Sequence, residues 1–131
     1  MDTAQRVMTV TVDRDSVCAG DDCEPHAASF EIPGSSTIAE LLRQAHRACP
    51  LASIAGGRAT WLIDTAGYGK RCVGVVAQQW DAPRLTIPET TTVEALFGSD
   101  PPTLFFRYWC QSDPEAVFEA VRDGAGLPAR Y

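Results

Sequence analysis

Apolar and polar residues alternate along two early stretches of the chain, from Val7 to Val12 and from Ala28 to Ile32. Successive side chains of a strand point to opposite faces, so Met8 and Val10 share the inward face of the first strand. Phe30 lies on the inward face of the second strand. The pattern predicts two half-buried strands, separated by a long polar connection.

A helix is predicted directly after the second strand. Thr37-Ile38-Ala39-Glu40 has the spacing of a capping box, in which a hydroxyl and a carboxylate satisfy free N–H groups of the first turn. Pro50 ends the helix because proline cannot continue it. Its apolar stripe comprises Ile38, Leu41, Leu42, Ala45 and Cys49.

The second half of the chain is predicted to contain three further strands, one short additional strand and two helices. A short helix follows Thr91-Thr92-Val93-Glu94, and a last helix begins at Asp113-Pro114 and ends near Gly124. Aromatic and β-branched residues favour strands at Ala59 to Asp64, Cys72 to Gln79 and Thr103 to Cys110, with a short one at Arg84 to Ile87.

This order of elements, together with the helix start Thr37-Ile38-Ala39-Glu40-Leu41-Leu42, resembles the ubiquitin-like β-grasp fold over about Val7 to Gln111. The resemblance implies an α+β fold, with a mixed sheet of four to five strands packed on one main helix. Here an additional C-terminal helix follows. A ubiquitin-like adaptor or carrier is one implied function. However, the chain ends Pro128-Ala129-Arg130-Tyr131 without an exposed Gly-Gly, so conjugation chemistry is not carried over.

Length and composition indicate one globular domain over residues 1–131, with a core at about 6–123 and a flexible tail at 125–131. No apolar run is long enough to span a bilayer. The residues before the first strand have neither a basic region nor an apolar core, so we expect no export by a removable signal. Five cysteines at irregular spacing predict reduced thiols in the cytoplasm. The net charge of −6 disfavours nucleic acid and membrane as partners and favours a basic protein.

The connection between the first two strands is the most acidic part of the sequence. Clustered carboxylates repel one another, and a basic partner surface would relieve that repulsion. A solvated loop whose aspartates accept turn hydrogen bonds is the alternative. Trp80, in a polar turn, is predicted to add an apolar contact. The partner-binding candidates are Asp13, Asp15, Asp21, Asp22, Glu24 and Trp80.

The same connection contains Cys18, Cys23 and His26, whose thiolates and imidazole are typical zinc ligands. His46 and Cys49 on the first helix could complete such a set. The spacing matches no usual zinc motif, and no nucleophile–base signature is present. We therefore predict no catalytic site, no cofactor and no metal, and keep a zinc-binding or cysteine-dependent enzyme as the alternative.

Small size, acidity and the acidic connection resemble small bacterial toxin-immunity proteins. That resemblance implies a protein-binding domain that neutralises a toxin domain by steric and electrostatic blockade. Such families share no general motif, so function is to be argued from the site.

Overall fold

The computed structural model describes residues 6–15, 26–51, 57–67 and 69–129. These residues form one mixed sheet and three helices, which confirms the α+β class. The strands are β1 (Val7–Arg14), β2 (Ala28–Pro33), β3 (Thr60–Asp64), β4 (Cys72–Ala77), β5 (Arg84–Leu85) and β6 (Thr103–Tyr108). The helices are α1 (Ile38–Ala48), α2 (Val93–Phe97) and α3 (Pro114–Asp123).

The spatial order of the strands is β2-β1-β6-β3-β4-β5. The first two strands form an antiparallel pair. Strand β6 lies between β1 and β3; it is parallel to β1 and antiparallel to β3. The two remaining pairs, β3 with β4 and β4 with β5, are antiparallel. The last strand in the chain is therefore central in the sheet.

The described sheet has six strands, whereas the sequence predicted four to five. The sixth strand is β5, which occupies two residues of the segment from Arg84 to Ile87 where a short strand was predicted. It approaches β4 closely at Gly74, where a Cβ would lie 2.6 Å from the carbonyl oxygen of Arg84. Pairing with β4 limits this edge strand to Arg84 and Leu85.

Helices cover both faces of the sheet, a second difference from the predicted packing on one main helix. All five residues of β3 are buried, as expected for a strand covered on both sides. Trp61 and Ile63 join the core beneath α1 and α2, whereas Leu62 packs with Val117 of α3. We call these two surfaces the α1 face and the α3 face.

An irregularity in the β3–β4 ladder decides which face β4 residues occupy. Ile63 pairs with Gly74 and Asp64 pairs with Cys72, so Val73 is the extra residue of a β-bulge. The bulge directs Val73 into the core of the α1 face. A strict alternation would have placed it on the other face.

The helix ends follow the predicted capping. Thr37 Oγ1 accepts a hydrogen bond from the N–H of Glu40 at 3.4 Å, and Asp113 accepts one from the N–H of Glu115 at 3.1 Å. Gly124 ends α3 in the left-handed conformation. The second helix is capped by Thr92, one residue later than the predicted box beginning at Thr91.

The segment after α3, for which we predicted a flexible tail, lies against the α3 face as far as residue 129. Leu127 packs against the cluster around Val117, and the indole N–H of Trp109 donates to the carbonyl of Pro128 at 2.7 Å. Arg130 and Tyr131 lie outside the described residues. No helix in the described ranges is long and apolar enough to cross a membrane.

Candidate functional site

Helices α1 and α2 cover only part of the α1 face of the sheet. Six strands spaced by about 4.8 Å span roughly 24 Å. The first helix lies nearest to β2, and α2 lies beside α1. The β3–β4–β5 side of this face is therefore left partly uncovered, and an open groove of about 830 Å³ lies there. We call it the α1–β5 groove.

One wall of the α1–β5 groove is a stripe of α1 adjacent to its buried stripe. Ala39, Leu42, Arg43, His46 and Arg47 recur at spacings of three and four residues, so they share one side of the helix. Leu42 belongs to the core, and the other four are half-buried or exposed. The small Ala39 leaves room within the groove, and the two arginines form its cationic upper rim.

The floor of the groove is the apolar surface of the central strands. Trp61 and Phe106 are almost fully buried, and Val76 beside them is half-buried. The Trp61 ring packs against Tyr108 with centroids 4.9 Å apart, and the guanidinium of Arg14 lies 5.9 Å from the Trp61 ring centroid. These contacts fix the floor, so it presents a rigid apolar surface.

The opposite wall is formed by the turn after β4 and by the segment containing β5. Leu85 contributes apolar surface, and the exposed carboxylates of Asp81 and Glu89 line the same side. Trp80, the predicted partner-binding residue, also lines the groove and is half-buried. Its ring also packs against the cluster of the α3 face, and the guanidinium of Arg84, which pairs with Glu115 of α3, lies 4.3 Å from the ring centroid.

Charges of opposite sign thus lie on the two walls. Arg43 pairs with Glu40 one turn earlier, and its Nε donates at 2.9 Å. A hydrogen bond from Gln44, followed by those from Arg43, lowers the pKa of the Glu40 carboxyl. Across the described chain, no ion-pair partner is found for Arg47, Asp81 or Glu89.

Two of the five predicted partner-binding carboxylates are engaged within the fold. Asp15 Oδ2 accepts the backbone N–H of Tyr108 at 2.9 Å, while the N–H of Asp15 donates to Phe106 at 3.0 Å. Asp13 accepts the N–H of Arg14 at 2.8 Å. Both side chains are half-buried; that of Asp15 extends the β1–β6 pairing, whereas that of Asp13 bonds to the next residue of its own strand. Asp21, Asp22 and Glu24 lie outside the described residues.

The candidate metal ligands are only partly described. Cys18 and Cys23 lie outside the described residues, and His26 is half-buried just before β2. Within the described ranges, no group of three or more metal-ligating side chains is found. Cys49 is buried in the core of the α1 face, whereas His46 is exposed to solvent.

Two described thiols are poorly suited to nucleophilic chemistry. Burial raises the pKa of Cys49 and also that of Cys72, so both remain protonated at neutral pH. Cys49 packs within the α1-face core, and the Cys72 sulfur lies 3.3 Å from the carbonyl oxygen of Gly74. These residues therefore behave as small packing side chains.

Sequence patterns did not reveal a buried ion pair on the α3 face. Arg107 Nε lies 3.1 Å from Asp64 Oδ2, and Nη2 donates to Oδ1 at 3.3 Å. The Asp64 side chain has no exposed surface and also accepts the N–H of Gly69 at 2.8 Å. Burial raises the pKa of Asp64, while Gly69 and Arg107 act in the opposite direction. This pair anchors the β3–β4 turn.

The sequence patterns did not predict the α1–β5 groove. Its local signals were Trp80, predicted as a partner-binding residue, and the pair Arg43 and Arg47, which fits an ordinary solvated helix face equally well. The residues opposite come from a turn and a two-residue strand, far from α1 in the chain. No protein-family model, curated protein or solved structure matches this chain.

Proposed function

We propose that this chain is a β-grasp-like domain that functions by binding another protein, and that the α1–β5 groove is its contact surface. The order β2-β1-β6-β3-β4 supports the β-grasp assignment, because the last strand lies beside the first and parallel to it. The observation that carries the binding proposal is the groove itself. It combines an apolar floor, half-buried aliphatic side chains and charged walls, and an apolar centre with a polar periphery is typical of protein interfaces.

The specific form of this function that we propose is an immunity protein that neutralises a bacterial toxin domain. The net charge of −6 supports it, because an acidic protein associates rapidly with a basic one. Asp21, Asp22 and Glu24 contribute three of these charges. Asp13 and Asp15 are assigned instead to the fold, since their carboxylates already accept backbone hydrogen bonds.

Site-specific crosslinking in the producing cells tests the binding proposal. A photoreactive phenylalanine analogue at Ala82, exposed in the groove wall, should trap one partner reproducibly. The matched control carries the analogue at Glu119, which is exposed on α3. The trapped protein, once purified, should bind the wild-type chain in calorimetry. Equal trapping from both positions would refute the groove as contact surface.

The immunity form has a separate test. Co-expression with the crosslinked partner should protect cells from its toxicity, and the groove-filling variant Ala39→Trp should fail to protect. Ala95→Trp is the matched control, because Ala95 is exposed on α2 and does not line the groove. A partner that is not toxic on its own would contradict the immunity role while leaving the binding function in place.

A further inference from the structure

The α1–β5 groove can be assigned an occupant of defined chemistry, an inference that rests on the proposed binding function. We propose that it accepts an amphipathic helix of the partner protein, lying alongside α1. The helix directs an apolar stripe onto the floor, acidic residues towards Arg47 and basic residues towards Asp81 and Glu89. Three features support this occupant: the hydrogen bonding of the floor, its half-buried apolar side chains, and the charges of its walls.

The backbone of the floor has no groups to offer an extended peptide. Strand β3 is paired on both sides, with β6 and β4, and β4 is paired with β3 and β5. A strand laid on this face would leave its own N–H and C=O groups without partners in an apolar setting. A helix satisfies those groups internally and presents only side chains, as in helix-in-groove recognition.

The uncovered surface lies beside helices α1 and α2, which cover the rest of this face. The half-buried side chains of Val76 and Leu85 would meet the apolar stripe of the partner. Trp61 has only 1% of its surface exposed, so it supports the floor from within the core. In this arrangement the partner adds a helix to the layer that α1 and α2 form.

The walls specify the charges of the partner. Arg47 on α1 is exposed and forms no ion pair within the described residues, and the same holds for Asp81 and Glu89 opposite. A partner helix with acids on one flank and bases on the other would pair with both walls at once. A helix with one sign of charge on both flanks would meet repulsion at one wall.

A displayed library of helical peptides tests the proposal. The probe is an 18-residue single-helix library with randomised apolar-stripe and flank positions, selected against the folded 131-residue chain. Enriched sequences should carry apolar residues at helical spacing, acids on one flank and bases on the other. Their affinity should fall at least tenfold for Ala39→Trp and separately for Ala82→Trp, and stay unchanged for Ala95→Trp.

A charge-swap cycle tests the orientation. Arg47→Glu should weaken a selected peptide roughly five- to tenfold at low salt, and replacing the facing acid of the peptide by lysine should restore affinity. Proline placed mid-peptide should abolish binding. Failure to enrich any helix, binders indifferent to Ala39→Trp, a tolerated proline, or no recovery in the swap would each overturn the proposal. The binding function would survive that failure if the Ala82 crosslink still traps a partner.

Discussion

The α1 face and the α3 face of the same sheet are filled in different ways. On the α1 face, eighteen of the described residues form one continuous apolar core. On the α3 face, the buried part of the apolar cluster consists of three described residues. The α3 face also contains the buried Asp64–Arg107 pair, and a hydrogen-bonded C-terminal segment covers its edge. Nonpolar burial therefore dominates on one face, and polar contacts supplement it on the other.

This difference bears on where binding is proposed. A large core supports the α1 face rigidly, so the floor of the α1–β5 groove stays in place when a partner docks. The α3 face is completed by the chain itself, through α3 and residues 125–129. The face with the larger core is thus also the one with uncovered surface, because α1 and α2 leave the side next to β4 and β5 open.

The largest effect is expected from a truncation in the α1-face core. Leu41 has no exposed surface, so Leu41→Ala removes apolar contacts and leaves a cavity. We expect a loss of about 3–5 kcal/mol in the free energy of unfolding, measured by urea denaturation. Hydrogen exchange should accelerate throughout the sheet. A loss below about 1 kcal/mol would contradict a single continuous core on this face.

Breaking the ion pair on the α3 face should cost nearly as much. Arg107→Met leaves the carboxylate of Asp64 buried without its cation, and we expect a loss of about 3 kcal/mol at pH 7. The folded-state pKa of Asp64 lies above its ordinary value and rises further in the variant, so a proton is bound more tightly in the folded state. Stability should therefore be regained as the pH falls through that folded pKa.

The double variant Asp64→Asn/Arg107→Met is the matched control for that experiment. It removes both charges, so its unfolding free energy should exceed that of Arg107→Met at pH 7 and lose the extra pH dependence. Urea titrations at pH 5 and pH 7 measure both quantities. An identical pH dependence in the single and double variants would show that Asp64 is not the titrating group.

A truncation in the α3 layer should act locally. Val117 is fully buried between α3 and the sheet, and Val117→Ala removes two methyl groups, at a cost of about 2 kcal/mol. Hydrogen exchange should accelerate in α3 more than in β1 and β6, because the α1-face core is untouched. Uniform acceleration would indicate that the two faces unfold as one cooperative unit.

The smallest effect is expected at the C-terminal segment. Trp109→Phe retains an aromatic ring but removes the indole N–H that donates to Pro128, so the loss should be about 1 kcal/mol. Proteolysis after residue 124 should become faster than in the wild type. Unchanged proteolysis would show that Leu127 and the bond from Ser112 to Ala129 suffice to hold the segment.

Local signals predicted most of the secondary structure. The hydroxyl of Thr37, the Asp113-Pro114 pair and Gly124 act within one helical turn, so the sequence is enough to place those helix ends. Strands β1 and β2 followed from strict alternation. Helix caps and strand alternation depend on residues a few positions apart, so they can be predicted from the sequence alone.

Long-range pairing decided the rest. The extent of β5, the bulge at Val73 and the face of the sheet that α3 covers depend on segments that meet only after folding. The acidic residue Asp15 illustrates the same point, because its partner is the backbone of Tyr108, 93 positions away. Charge density along the sequence cannot distinguish a carboxylate that extends a ladder from one that faces solvent.

By itself the sequence determined the α+β class, the helix caps and the alternating strands, because these depend on residue type and on neighbours a few positions apart. Tertiary structure alone decided the strand order, the burial of Asp64 beside Arg107, and the groove between α1 and β5. The groove lies where the two helices of the α1 face leave β4 and β5 uncovered. That gap is a property of the assembled layers, so no single segment encodes it.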